Sequence, residues 1–318
     1  MGARAAEFDI FAAAMANSYR VLLTGFGVSP LAILDFQSQM FGCSQPFSVY
    51  SENPSWLAVE PLHNTVIPIE PSSSAIKRCS QIHITTLKIP VVYQSVLEII
   101  PGLHERPPTM PDAENCIPPP EEGFDFVFHV GVAGNGPLQL EEVAHKVGYD
   151  LKDASQQLAP IVPSSQGPVP AEAEGMGRAR LSKKSKKSFD THRIRGFGKG
   201  YEDFPEELST SLNLQTLMQC VKLSGTEVID GFYSQQLSTN HVQYLLQQVC
   251  ISQDAGRYLC DFIYYCSLAE AKRHASADDK RTNTQVLFLH CPPVNKPLST
   301  KEVTKAIKRI IVWVCTKQ

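Results

Sequence analysis

The chain has 318 residues, 43% of them hydrophobic, and a net charge of −3 at pH 7. That is enough apolar material for one sizeable core or two small ones, and the charge balance offers no general attraction for nucleic acid. Its nine cysteines include no C-x-x-C pair and no regular spacing, which argues against a disulfide framework and against a zinc site.

Residues 1–18 carry Arg4, Glu7, Asp9 and Arg20 follows closely, so the Ala-rich start lacks the long apolar centre of a signal peptide and reads as a loose extension. Ala6 stands where a myristoylation signal needs Ser or Thr. No apolar run reaches the ~18 residues of a membrane span. The expectation is a soluble protein of a reducing compartment, without membrane attachment.

Residues 19–318 are expected to form one α/β domain. Tyr19 to Thr24 is a short apolar strand, with Gly25-Phe26-Gly27 as the turn after it. The G-x-G there does not complete a dinucleotide fingerprint, because Pro30 takes the place of the third glycine. Asn53-Pro54 opens a helix with a capping residue and a proline near the first turn. Gln81 to Leu87 alternates and is β-branched, hence a strand. Gln94 to Ile100 reads as a helix ended by Pro101-Gly102, and the proline-dense residues 101–122 as a surface loop. Phe124 to Gly131 is nearly continuous apolar and β-prone, a central strand buried on both faces. A glycine turn, Val132 to Gly136, precedes Glu141 and His145.

Residues 150–200 change character. Pro, Ser, Gln and Ala dominate, then Lys183-Lys184-Ser185-Lys186-Lys187. Such a stretch cannot bury enough apolar surface to order itself and is expected to be a disordered, flexible insertion, its lysines a solvated loop. Beyond it, helices are expected around Leu214 to Val221 and Val242 to Gln248, a charged loop from Lys272 to Arg281, a buried strand from Gln285 to His290, and an amphipathic helix from Lys301 to Cys315. Strands alternating with helices predict a three-layer α/β sandwich, a twisted, largely parallel (mixed) sheet flanked by helices.

The stretch with most chemical content is Ser252 to Cys266. Val249-Cys250-Ile251 reads as a buried strand, and Asp254-Ala255-Gly256 as a tight turn in which Gly takes positive φ and Asp bonds its own backbone. Leu259, Phe262, Ile263 and Cys266 recur at helical spacing. Cys260 falls off that stripe, in the first turn, where the helix dipole lowers a thiol's pKa from its free value of ~8.5. Cys250, Cys266 and Cys315 sit on apolar runs and read as small core hydrophobes.

Ligands of open α/β sheets bind at the carboxyl ends of strands. Phe26, Glu141, Cys260 and His290 each follow or end a predicted strand. A Cys, a His and a carboxylate on one rim are the parts of a thiol-nucleophile triad: the His exchanges the proton and the carboxylate orients the imidazole. A phosphate or nucleoside site at Gly131 to Gly136 is a weaker alternative.

Several segments together resemble one family. Thr24-Gly-Phe-Gly27, Asn53-Pro-Ser-Trp56, Pro90-Val-Val-Tyr93, Val130-Gly-Val-Ala-Gly134 through Leu140-Glu141, His145 with Gly148-Tyr149, Asp254-Ala-Gly-Arg-Tyr-Leu-Cys260-Asp-Phe262, and Phe288-Leu-His290-Cys-Pro-Pro293 resemble pyroglutamyl-peptidase I, in the family's order. The resemblance implies a cytosolic cysteine exopeptidase acting on peptides with an N-terminal pyroglutamate, on a twisted sheet flanked by helices, without metal or organic cofactor. It implies Cys260 as nucleophile, His290 as base and Glu141 as third member, and places Phe26, Asn53 and Val132 in the substrate pocket. One segment departs from the pattern: where the family reads Gly-Pro-Phe-Gly after Thr-Gly-Phe, this chain reads Gly27-Val28-Ser29-Pro30, so Ser29 replaces a second ring-binding aromatic. A catalytically silent binding protein on the same fold is therefore the alternative.

Overall fold

The computed structural model describes residues 18–27, 52–69, 79–111, 118–162, 194–226, 249–275 and 283–317. In chain order the elements are β1 (Ser18–Gly27), α1 (Pro54–Val59), β2 (Thr65–Pro68), β3 (Gln81–Pro90), α2 (Tyr93–Leu103), β4 (Phe126–Val132), β5 (Leu138–Glu141), β6 (Val143–His145), β7 (Glu207–Ser209), α3 (Leu214–Thr226), β8 (Val249–Ser252), α4 (Leu259–Arg273), β9 (Gln285–Cys291) and α5 (Thr300–Lys317). The Val28-Ser29-Pro30 departure, the lysine cluster and the Val242 to Gln248 run lie outside the described residues.

Seven strands form one mixed sheet in the order β2-β3-β1-β4-β9-β5-β8. The four central strands β3, β1, β4 and β9 are parallel. β2 is antiparallel to β3, and β5 to β9. β8 is parallel to β5 and so also runs against the central four. Because side chains alternate across a strand, the sheet buries two separate apolar layers. Val21, Leu23, Phe126, Phe128, Leu287 and Leu289 face one way, with α1, α3 and α5 packed over them. Leu22, Phe26, Val127, Val286 and Phe288 face the other way, under α2 and α4. This is the three-layer single domain that the element pattern predicts.

Three local expectations are corrected. Pro101 does not end α2, which continues to Leu103. Proline removes one hydrogen bond, a small loss in a last turn, and burial of Leu103 together with the His104–Ser267 hydrogen bond at 2.8 Å holds that turn down. Lys272 and Arg273 are the end of α4 rather than a loop. Nor is α4 amphipathic: every residue from Leu259 to Glu270 is buried, since the helix lies beneath α2, the β6–β7 ribbon and residues 197–204 as well as on the sheet.

The stretch drawn as 150–200 is folded at both edges. Val147 bridges Gly196 and Ile161 bridges Arg195, while Asp153, Ala159 and Phe197 are buried. Phe197 stacks on Phe262 of α4 with ring centroids 4.1 Å apart. Full burial of one such aromatic contributes roughly 1.5–3 kcal/mol, which composition averaged over fifty residues does not register.

Candidate active site

The site is built on the face of the sheet that carries α2 and α4. β4 and β9 pair with Gly131 opposite His290. β5 pairs with β9 so that Glu141 lies opposite Phe288, two residues short of His290 and on the same face. Diagonal neighbours of this kind are within reach of long side chains. Nδ1 of His290 lies 2.7 Å from Oε1 of Glu141, and both side chains are buried.

The third side chain arrives from outside the sheet. The Asp254-Ala255-Gly256 turn forms as its residues predict, with Gly256 at φ 79° and its N–H donating to Asp254 Oδ1 at 3.0 Å. Tyr258 is the extended residue before α4, which makes Cys260 the second residue of the helix. Cys260 is near enough to His290 for a charge on its sulfur to raise the imidazole's pKa. With Nδ1 engaged by Glu141, Nε2 is the ring nitrogen not held by the carboxylate. The approach depends on Gly131: a Cβ there would lie 2.9 Å from Cys260 Sγ and 2.7 Å from Phe288 Cζ. Glu141 is fixed a second time by α4, since the Tyr264 hydroxyl donates to its carbonyl at 2.9 Å.

Burial pulls the His290 pKa down, but Cys260 and then Glu141 more than offset it and raise it from 6.5 to about 10. A carboxylate and a sulfur anion both favour the protonated ring. Below the site His129 is a different kind of histidine. Its Nδ1 is 2.7 Å from Thr24 Oγ1, and burial lowers its pKa to about 3, so it is neutral.

Of the remaining residues assigned by resemblance, Phe26 is buried in the same apolar layer as Cys260. Its N–H donates to Ser55 Oγ at 3.1 Å, and Ser55 Oγ donates to Asn53 Oδ1 at 2.8 Å. Asn53 is the N-cap of α1, its Oδ1 also accepting from Ser55 N at 3.0 Å. The two segments meet because Gly25 has no side chain; a Cβ there would lie 3.0 Å from Trp56 Cα. Val132 is placed differently, packing into the apolar layer on the opposite face of the sheet. Only its backbone is directed along the strand that passes under Cys260.

Two neighbours of the sulfur escaped the sequence reading. The rings of Tyr93 and Tyr258 stand 6.1 Å apart in the same apolar layer as Cys260. Their hydroxyls donate to the carbonyls of Leu151 and Lys152 at 3.1 and 3.2 Å, which attaches residues 151–157 beside the site. Among the described residues no group of three or more His, Cys, Asp or Glu is placed to hold a metal ion, and no helix is long and apolar enough to cross a membrane.

No family model matches the chain. Pyroglutamyl-peptidase 1 of Mus musculus is 25% identical to it over 267 residues, covering 84% of this chain and 84% of that protein. The Homo sapiens protein of the same name matches with the same identity and coverage. Among solved structures, pyroglutamyl peptidase I from Bacillus amyloliquefaciens shares the fold, with a TM-score of 0.51 and 19% identity, covering 94% of this chain and 96% of that one.

Proposed function

We propose that this chain, similar over most of its length to pyroglutamyl-peptidase 1, is a distant member of the pyroglutamyl-peptidase I family and a thiol-dependent exopeptidase that removes an N-terminal pyroglutamyl residue from peptides. The reading rests most on one observation: Glu141 holds the His290 imidazole at 2.7 Å, and the Cys260 sulfur stands over Gly131, the residue paired opposite His290, 2.9 Å from where a Cβ there would lie.

The Cys260 thiolate attacks the carbonyl carbon of the pyroglutamyl residue. The carbonyl oxygen becomes an anion, which the N–H groups in the first turn of α4 stabilise, since a helix leaves those donors without internal partners. His290 gives its Nε2 proton to the departing amine, leaving a thioester. The neutral imidazole then takes a proton from water as it attacks the thioester, and Cys260 leaves as thiolate. Glu141 keeps the ring oriented and favours its charged form. Phe26 supplies an apolar wall for the uncharged lactam ring, and the segments of Asn53 and Val132 border the pocket. The route calls on no metal or organic cofactor, and a reactive thiol of this kind suits the cytosol.

Incubation with a pyroglutamyl-coumarin amide tests the proposal. Thiol-dependent release that disappears in Cys260→Ala is the expected result. Equal release by the variant would refute it. A Cys260 that alkylates no faster than ordinary exposed cysteines, with no turnover, would point instead to a silent binding protein on the same fold.

A further inference from the structure

We infer that Asp261, the buried residue after Cys260, is a positioning residue that sets the sulfur's approach to His290 through a cluster with His145, Tyr149 and Arg257. The inference rests on the proposed role of Cys260 as nucleophile. Asp261 is 0% exposed, and both of its oxygens are engaged. Oδ1 lies 3.1 Å from His145 Nδ1; Oδ2 accepts from the Tyr149 hydroxyl at 2.9 Å and lies 3.9 Å from Arg257 Nη1. The Tyr149 hydroxyl also donates to the His145 carbonyl. Arg257 lies against Gly148, whose φ of +106° and contact with Arg257 Cδ, 3.3 Å from an added Cβ, leave little room for a side chain.

The cluster joins the two parts of the chain that the triad needs. His145 closes β6, just after Glu141, and Arg257 stands in the turn before Cys260. Successive residues on a helix point about 100° apart, so Asp261 is held on one side while Cys260 faces the sheet. Apolar packing around α4 tolerates small rotations of the helix; hydrogen bonds to both oxygens of one carboxylate do not. The partners also answer an electrostatic problem. A buried carboxylate beside the nucleophile opposes the build-up of negative charge on sulfur, and the Arg257 guanidinium, 3.9 Å from Asp261 Oδ2, offsets that charge where it arises. None of these four residues is needed for the covalent steps, yet together they tie the nucleophile's helix to the strand end that orients the base.

Three variants test this: Asp261→Asn, Tyr149→Phe, which removes the shared hydroxyl without changing charge, and the double variant. If the cluster acts as one positioning unit, each single change lowers kcat about ten-fold, with KM within about two-fold. Iodoacetamide alkylation of Cys260 at pH 7 slows by a similar factor, and the double variant is no worse than Asp261→Asn. Wild-type kcat and alkylation with only a lowered Tm would overturn the inference, as would a rise in KM alone or single effects that multiply in the double variant. Should Asp261→Asn fail to fold, Tyr149→Phe alone decides the matter by the same two readouts. A wild-type chain that alkylates rapidly at Cys260 but turns over no pyroglutamyl substrate would sink the proposed function only, and the alkylation comparison would still decide this inference.

Discussion

His290 and Glu141 meet at 2.7 Å although they lie on neighbouring strands that run in opposite directions. β5 spans only Leu138–Glu141, so its carboxyl end is still beside the carboxyl half of β9 and the two side chains reach one another diagonally. The convergence is thus not the shared strand-end rim of a parallel sheet. Two of the four features placed there by sequence, Glu141 and Cys260, follow strands that run against the central four.

That pairing controls the alkaline side of activity. On the proposed route His290 protonates the leaving amine, so activity should be lost as pH rises through its pKa, raised to about 10 by Cys260 and Glu141 against the downward pull of burial. Glu141→Gln removes the charge that favours the imidazolium. We expect kcat at pH 7 to fall about 100-fold or more, and the alkaline limb of kcat/KM to move toward neutrality. An unmoved limb would show that Glu141 does not set the ring's charge.

Stability should depend on pH in two opposed ways. Burial lowers the pKa of His83 to about 4 and of His104 and His129 to about 3. Both ring nitrogens of His83, Nδ1 of His104 and Nε2 of His129 have no hydrogen-bond partner among the described residues. These rings are neutral when folded, while the unfolded chain takes up protons below about 6.5. Their stabilising contribution is therefore complete above 6.5 and is lost as pH falls toward 4 and then 3. His290 has the opposite sign: its contribution is complete below 6.5 and is lost as pH rises toward about 10. Thermal unfolding from pH 4 to 10 should give a maximum Tm near 6.5, and His104→Gln should flatten the acid limb. A Tm constant between 6.5 and 4 would contradict this.

The elements were legible where a local pattern decides them. Asn53-Pro54 opens α1 and Asp254-Ala255-Gly256 turns into α4 as their side chains dictate. Phe124 to Gly131 is recognisable because a strand covered on both faces is apolar at nearly every position. Elements fixed by distant partners were not legible. β2 is four residues whose exposure merely alternates, and nothing local marks it as the edge of a seven-stranded sheet. The burial of Asp261 depends on His145 and Tyr149, more than a hundred positions away. Glu141, beside a second glutamate, carries no local sign that it is the buried one; only pairing with β9 distinguishes it from Glu142.

A third prediction concerns the folded edge of the 150–200 stretch. No side chain of α2's own segment caps it. Asp153 does so from another part of the chain, its Oδ2 accepting from Tyr93 N at 3.0 Å while Oδ1 accepts from Ser155 N and Gln157 N at 2.9 and 3.0 Å. Asp153→Ala should cost about 1–2 kcal/mol, the usual worth of a cap, seen as a Tm lowered by a few degrees. Asp153→Asn, which keeps an acceptor oxygen, should lose less. Equal losses would mean that charge rather than the cap holds α2 to this segment.

Gly131 provides the sharpest separation of activity from stability. It lies within regular β4, opposite His290, so alanine there asks for no unusual backbone. What alanine lacks is space: its Cβ would sit 2.7 Å from Phe288 Cζ and 2.9 Å from Cys260 Sγ. Phe288 is 0% exposed in the packed core and cannot swing aside freely, so the sulfur must move away from the imidazole. Overpacking of this kind costs about 1–3 kcal/mol of stability, which leaves most of the protein folded at 25 °C. A displaced nucleophile costs more in rate, on the order of 100-fold for a shift near 1 Å. Gly131→Ala should therefore retain a cooperative thermal transition while losing kcat and rapid alkylation of Cys260 together. Near wild-type turnover in that variant would mean that the sulfur does not act from beside Gly131, and the nucleophile would have to be sought elsewhere.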